Sequence, residues 1–296
     1  MKTSPLVKRC CTALVLIPLV ILGIFTLSPL AFGFVVSLIM LLAAWEWTRL
    51  MSLEKLSYRL LYLLLLIVLI LIATYIYYPV DIKCCQSYLM TLHLSSLFGT
   101  ILFCSLVWWM IALLWVILYA YKPASIRHYR VYELLSGLVG IFVLFPFVLA
   151  LFFLRISHYG TWLILYLLFL VWCVDSAAYA TGRLWGNKKL LPSVSPGKTW
   201  VGFYGGLCVG IIISVLAGWL FNLNARQFLL WLVWSILTFF VSVVGDLFVS
   251  VMKRQCNLKD SGSLLPGHGG ILDRLDSLLA AAPVFAYGVL LSIFYV

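Results

Sequence analysis

The chain has 296 residues, 65% hydrophobic and only 10% charged, with a formal net charge of +11 at pH 7. A mean hydropathy of +1.14, with long apolar runs through the whole length, excludes a soluble domain carrying one anchor and points to a polytopic membrane protein. Because those runs are apolar all round instead of alternating, a β-barrel is excluded, and the spans are expected to be helices that satisfy their own backbone groups.

A span needs roughly 20 apolar residues. Nine are predicted, over about 10–27, 30–50, 59–79, 97–120, 132–153, 160–184, 201–222, 228–252 and 271–295. Only Leu27-Ser28-Pro29-Leu30 separates the first two, and Pro29 is expected to mark a tight turn there. Merging them gives an eight-span alternative with the N-terminus on the other side. The basic start, Lys8-Arg9, leads into an apolar run without a small-residue cleavage site, so it reads as a first span and not a removed signal peptide.

Charge orients the nine spans. The N-terminus and the loops after spans 2, 4, 6 and 8 then share a side with every lysine and arginine except Lys83, Arg155 and Arg226. Basic residues favour the cytoplasmic face, which puts the N-terminus in the cytoplasm and the C-terminus outside. The basic residues lie in short clusters between spans, which argues against a nucleic-acid partner and leaves an anionic substrate open. The eight cysteines form no CxxC and no Cys/His spacing suited to zinc, so they read as small apolar filler. His93, His128 and His158 stand apart from any acid cluster and read as loop or interfacial residues.

The chain divides in two by its chemistry. Residues 1–156, spans 1 to 5, carry little of it; residues 157–296, spans 6 to 9 and their loops, carry most. Of the carboxylates Glu46, Glu54, Asp81, Glu133, Asp175, Asp246, Asp260, Asp273 and Asp276, the last five fall in the second part. An acid inside a span is costly and usually has a task. In the sixth span Asp175, Tyr179 and Arg183 share a helical stripe. Asp246, Ser250 and Lys253 share a face of the eighth, with Arg254 beside them. Asp273 and Asp276 lie one above the other at the start of the ninth.

Before that start comes KDSGSLLPGHGG, with Lys259, Asp260, His268, Gly269 and Gly270, and Arg274 follows within the span. Its glycines bring backbone N–H groups within reach of an anion. Carboxylates for a hard divalent ion, beside cations and amides for phosphate, make the composition of a phosphoryl-transfer site. A third cluster, LLPSVSPGKTWVG, places Ser195, Lys198 and Thr199 near Lys188 and Lys189 in a turn-rich loop. Gly197-Lys198-Thr199 resembles the tail of a nucleotide-binding P-loop, but Pro192 stands where that motif needs glycine and no strand is expected before it.

Read together, SVMKRQCNLKDSGSLLPGHGGILDRLD resembles the signature of phosphatidate cytidylyltransferases, also called CDP-diacylglycerol synthases. The matching positions are Ser250, Lys253-Arg254, Lys259-Asp260, Pro266, His268-Gly269-Gly270, Asp273-Arg274 and Asp276; DSAAYATGR, SPGKT and GDLF look like further family blocks. One departure is Val201, where family members commonly carry a glutamate after the SPxKT element.

The resemblance implies an all-α bundle in a bacterial inner membrane, a homodimer, and a site facing the cytoplasm. It implies attack by the phosphate of phosphatidic acid on the α-phosphorus of CTP, with Mg²⁺ held by Asp246 and Asp273 and room for a second cation. Lys253 and Asp276 join those two as catalytic residues. Ser195, Lys198, Thr199, Ser250, Arg254, Lys259, His268, Gly269, Gly270 and Arg274 are expected around the phosphates, with Asp175 and Asp260 as supporting or additional metal positions. Two rival readings are weighed. A CDP-alcohol phosphotransferase-like enzyme would need DGxxAR, but Ser176 follows Asp175 and no such AR follows. An ion-coupled transporter would place its acids near the midplane of two related halves, whereas here they crowd one side.

Overall fold

The computed structural model describes residues 5–53, 55–77, 88–123, 130–157, 159–264 and 269–294. Among these residues nine helices form: α1 (Pro5–Thr26), α2 (Pro29–Leu50), α3 (Leu56–Tyr77), α4 (Tyr88–Tyr121), α5 (Arg130–Ile156), α6 (Gly160–Trp185), α7 (Trp200–Leu220), α8 (Ala225–Gln255) and α9 (Leu272–Phe294). Among the described residues, eight helices are long and apolar enough to cross a membrane. The all-α expectation and the order of the predicted spans both hold.

The helix starts follow from local chemistry. Ser28 accepts the Ala31 N–H at 3.3 Å and Pro29 occupies the first helical position of α2, so the chain turns where LSPL predicts. Thr199 caps α7 through the Gly202 N–H, and Asn224 and Gln227 form a capping box at α8. Pro18, Pro146 and Pro283 lie inside helices, a placement that packing in a membrane bundle tolerates.

The expected turn-rich loop before α7 differs from the structure. A small antiparallel hairpin forms there, β1 (Lys189–Leu191) with β2 (Ser195–Thr199). A strand therefore does precede Gly197-Lys198-Thr199, but those residues lie within β2 itself and run straight into α7. No phosphate-wrapping loop separates strand from helix, so the P-loop likeness stays local.

Two helices form the middle of the bundle. In α5 and α9, 72% of the span is buried, against 17% in α3. Ala280, Ala281, Ala282 and Ala286 on α9 are fully buried, and such small side chains let α4, α5 and α8 come close. At the α8–α9 crossing a Cβ on Gly245 would lie 2.6 Å from the Asp276 carbonyl oxygen and 2.7 Å from the Ala280 Cβ. Gly245→Leu is therefore expected to force the two helices apart, lowering the melting temperature in detergent together with the activity; a melting temperature equal to wild type would show that the crossing can yield. On α7, Gly202, Gly206 and Gly210 form a buried stripe against α6. Both parts of the chain share one core, since α4 packs on α8 and α9 and α5 packs on α9.

Polar ties fix which ends lie together. At one end the Arg155 guanidinium donates to the Leu27 carbonyl at 2.6 Å and to Thr161, joining the α1–α2 turn to the α5–α6 turn. At the other, Cys256 donates to the Leu50 carbonyl at 3.1 Å, and Ser193 to the Ala120 carbonyl at 3.1 Å. The C-terminal ends of α2, α4 and α8 and the hairpin after α6 thus gather at one end, as the basic residues require. Arg155 belongs to the opposite end, where the charge count put it as an exception. Within the bundle, Tyr166 meets Ser214 at 2.9 Å and donates to Ser235 at 2.7 Å, so one hydroxyl cluster joins α6, α7 and α8.

Candidate active site

The polar residues of α6, β2, α8 and α9 converge at the end that carries the hairpin. Asp246 lies nine residues before the last residue of α8, about 14 Å along the axis. Its Oδ2 pairs with the Lys198 ammonium of β2 at 2.7 Å, and Ser250, one turn on, reaches its Oδ1 at 3.4 Å. This pair is roughly a quarter exposed on each side, which leaves it open to a ligand.

The second pair is drier. Lys253 donates to Asp273 Oδ1 at 2.8 Å, with side chains 12% and 7% exposed. Asp273 Oδ2 also accepts the backbone N–H groups of Ser261 and Gly270, each at 2.9 Å. Asp273 therefore fastens both ends of the described loop to the start of α9, where negative charge is favoured. Gly269 takes φ +83°, a left-handed backbone that suits glycine, and a Cβ there would come within 2.8 Å of Asp273 Oδ2.

Asp175 and Asp276 complete the cluster. Asp175 accepts from Ser277 at 3.3 Å, Asp276 accepts the Ser277 N–H at 2.9 Å, and both lie within electrostatic reach of Asp246. The carboxylates of Asp175, Asp246, Asp273 and Asp276 thus share the ammonium groups of Lys198 and Lys253. In this inner cluster the carboxylates outnumber the ammonium groups, four to two.

That excess and the hard oxygen donors fit a divalent cation such as Mg²⁺. Among the described residues no three His, Cys, Asp or Glu side chains form a ready metal cage. Mg²⁺ does not require such a cage, since it usually takes one or two carboxylates and completes its shell with water and substrate phosphates.

The other predicted residues separate into groups. Thr199 is buried and its hydroxyl serves the α7 N-terminus, between Gly182 and Gly186. Arg254 donates to the Leu258 carbonyl at 3.3 Å, closing the turn after α8. Lys259, Asp260 and Arg274 are exposed around the loop, and Ser195 is half-buried at the start of β2. Tyr179 and Arg183 do meet on the α6 stripe, at 3.2 Å. His268 lies outside the described residues, as do Pro266 and Gly267.

The sequence reading gave no role to Ser277, Ser261 or Glu46. Serines so placed carry no signal in the sequence. Glu46 did carry one, since it is an acid inside an apolar helix, the feature that drew attention to Asp175 and Asp246.

The sequence profile of the cytidylyltransferase family matches residues 7–292. The chain is 39% identical over 279 residues to a phosphatidate cytidylyltransferase of Pseudomonas aeruginosa, covering 94% of this chain and 95% of that protein. It is 36% identical over 291 residues to one of Haemophilus influenzae, covering 95% and 97%. Against one of Bacillus subtilis the match is 40% over 139 residues, about half of each chain.

Proposed function

The chain belongs to the cytidylyltransferase family, and we infer from its full-length relatives and from the site that it transfers the cytidylyl group of CTP to phosphatidic acid. The products are CDP-diacylglycerol and pyrophosphate. Within the structure, the observation that supports this reading best is the pairing of Lys198 with Asp246 and of Lys253 with Asp273, side by side on converging elements.

The chemistry asks for little beyond what this cluster offers. A bond forms between a phosphate oxygen of phosphatidic acid and the α-phosphorus of CTP, and the bond from that phosphorus to the β-phosphate bridge breaks. The electron pair leaves with pyrophosphate. A phosphate dianion needs no strong base, so the barrier is one of bringing anions together in line and spreading the charge. Lys198 and Lys253 supply ammonium groups for that charge. Arg254, Lys259 and Arg274 lie around the same loop, and Gly269 and Gly270 are proposed to let its backbone approach a phosphate, with the Gly270 N–H itself held by Asp273. Asp246 and Asp273 would hold Mg²⁺, with Asp175, Asp276 and Asp260 as further positions. The bound ion would supply positive charge to the phosphate oxygens. Ser195, Thr199, Ser250 and His268 are proposed to line the same phosphates. Val201 leaves no carboxylate at the position two residues beyond Thr199.

The protein is a multi-pass integral membrane protein. We further propose that the site faces the cytoplasm of a bacterial inner membrane, where CTP is dissolved and the lipid headgroup lies at the surface. The clustering of basic residues at the site's end supports this orientation. The chemistry is assigned to residues 157–296, with residues 1–156 as supporting helices, and the protein is proposed to act as a homodimer. Purified protein given labelled CTP, phosphatidic acid and Mg²⁺ should release pyrophosphate and form a nucleotide-linked lipid. Failure of the wild type to form that lipid overturns the reaction.

A further inference from the structure

Glu46 lies on α2, in the part of the chain to which the sequence assigns no chemistry, yet it touches the loop that forms the site. The residue is 1% exposed. Its carboxylate accepts the Ser261 hydroxyl at 2.9 Å and the Leu272 N–H at 2.9 Å on Oε2, and the Ile271 N–H at 3.1 Å on Oε1. Among the described residues no lysine or arginine lies within ion-pair distance of it. Its partners are instead the first amides of α9, where the positive end of the helix dipole favours an anion.

Glu46 and Asp273 divide one set of donors between them. The consecutive amides of Gly270, Ile271 and Leu272 go to Asp273, Glu46 and Glu46 in turn. Ser261 gives its N–H to Asp273 and its hydroxyl to Glu46. Both carboxylates thus grip the same two backbone segments, one before and one after the glycine turn. The fit leaves no spare room, because a Cβ on Gly262 or Gly270 would overlap the Glu46 carboxylate. An apolar side chain of the same size would leave the Ser261 hydroxyl and the Ile271 and Leu272 N–H groups without this acceptor. A carboxylate in so dry a place costs several kcal/mol unless its hydrogen bonds are met, and these bonds all aim at the loop.

We propose that Glu46 is a positioning residue for the transfer reaction: through the Ser261 hydroxyl and the amides of Ile271 and Leu272 it fixes where Asp273, and with it Lys253, stands against the substrate phosphates. The proposal rests on reading the site as that of the cytidylyltransferase reaction. Misplacing a reacting group by about 1 Å costs about a hundredfold in rate, and the loop has no other carboxylate from α2 to hold it.

The test is Glu46→Gln in the full-length protein in detergent, with steady-state kinetics, thermal unfolding, and hydrogen–deuterium exchange over residues 259–276. The amide keeps the volume but offers one acceptor oxygen in place of two. Turnover is expected to fall by about tenfold or more, with the KM for phosphatidic acid within about twofold, while the folded protein keeps its overall exchange pattern. Exchange should rise only in the loop and the first turn of α9. Wild-type turnover, or lost turnover with an unchanged loop, overturns the proposal. If Glu46→Gln does not accumulate, Ser261→Ala decides, since it removes one of the three bonds: raised loop exchange with lowered turnover supports the proposal, and unchanged values overturn it. The exchange comparison does not depend on which reaction is assayed. A wild type inactive with CTP and phosphatidic acid is thereby told apart from a wrong role for Glu46.

Discussion

Asp246→Asn is expected to lower turnover by about 10²- to 10³-fold, the usual cost of losing one preorganised charged or hydrogen-bonding group at a reacting phosphate or carbonyl. The substitution removes the anion that faces Lys198 at 2.7 Å. It also removes a carboxylate that lies within electrostatic reach of both Asp175 and Asp276. Stability should change little, because Lys198 is about a quarter exposed and water can solvate the released ammonium. Activity in detergent with labelled CTP, beside thermal unfolding, separates the two effects. Turnover within about threefold of wild type would remove Asp246 from the site.

Lys253→Met should do the opposite to stability. Lys253 and Asp273 are both nearly enclosed, so removing the cation leaves a carboxylate in a dry setting, supported among the described residues by the Ser261 and Gly270 amides. Breaking such a pair from one side costs about 3–5 kcal/mol. The double substitution Lys253→Met with Asp273→Asn removes the stranded charge as well and should recover much of that loss. Neither variant should transfer the cytidylyl group, since the ammonium is gone in both. Melting temperatures of the two variants against wild type check the first half, and turnover checks the second. A double variant no more stable than the single one would mean that the pair is not coupled.

These two experiments bear on residues that the sequence marks plainly. Lys253, Asp246 and Asp273 stand out because charge is rare in this chain, and their helical spacing puts them at the ends of spans. The hairpin was less visible. SPGKT has no run of β-branched residues, and its strand exists because β1 pairs with it across a short turn. The identity of the partners was invisible too. Nothing in the sequence says that Lys198 meets Asp246 and not Asp175, or that Lys253 crosses 20 residues of chain to Asp273.

The helices, their order, the end at which the basic residues gather and the family can all be read from the order of the amino acids. Each is local or additive: a run of apolar side chains forms a helix in lipid whatever surrounds it, and charge bias sums along the chain. What holds the loop between α8 and α9 was settled by packing. Glu46 reaches residues 225 and 226 positions away along the chain, and that contact exists because α2 ends beside α8 and α9 in the folded bundle. A lone glutamate in an apolar span declares that it needs partners; only packing determines that its partners are Ser261 and the amides of Ile271 and Leu272, just before Asp273.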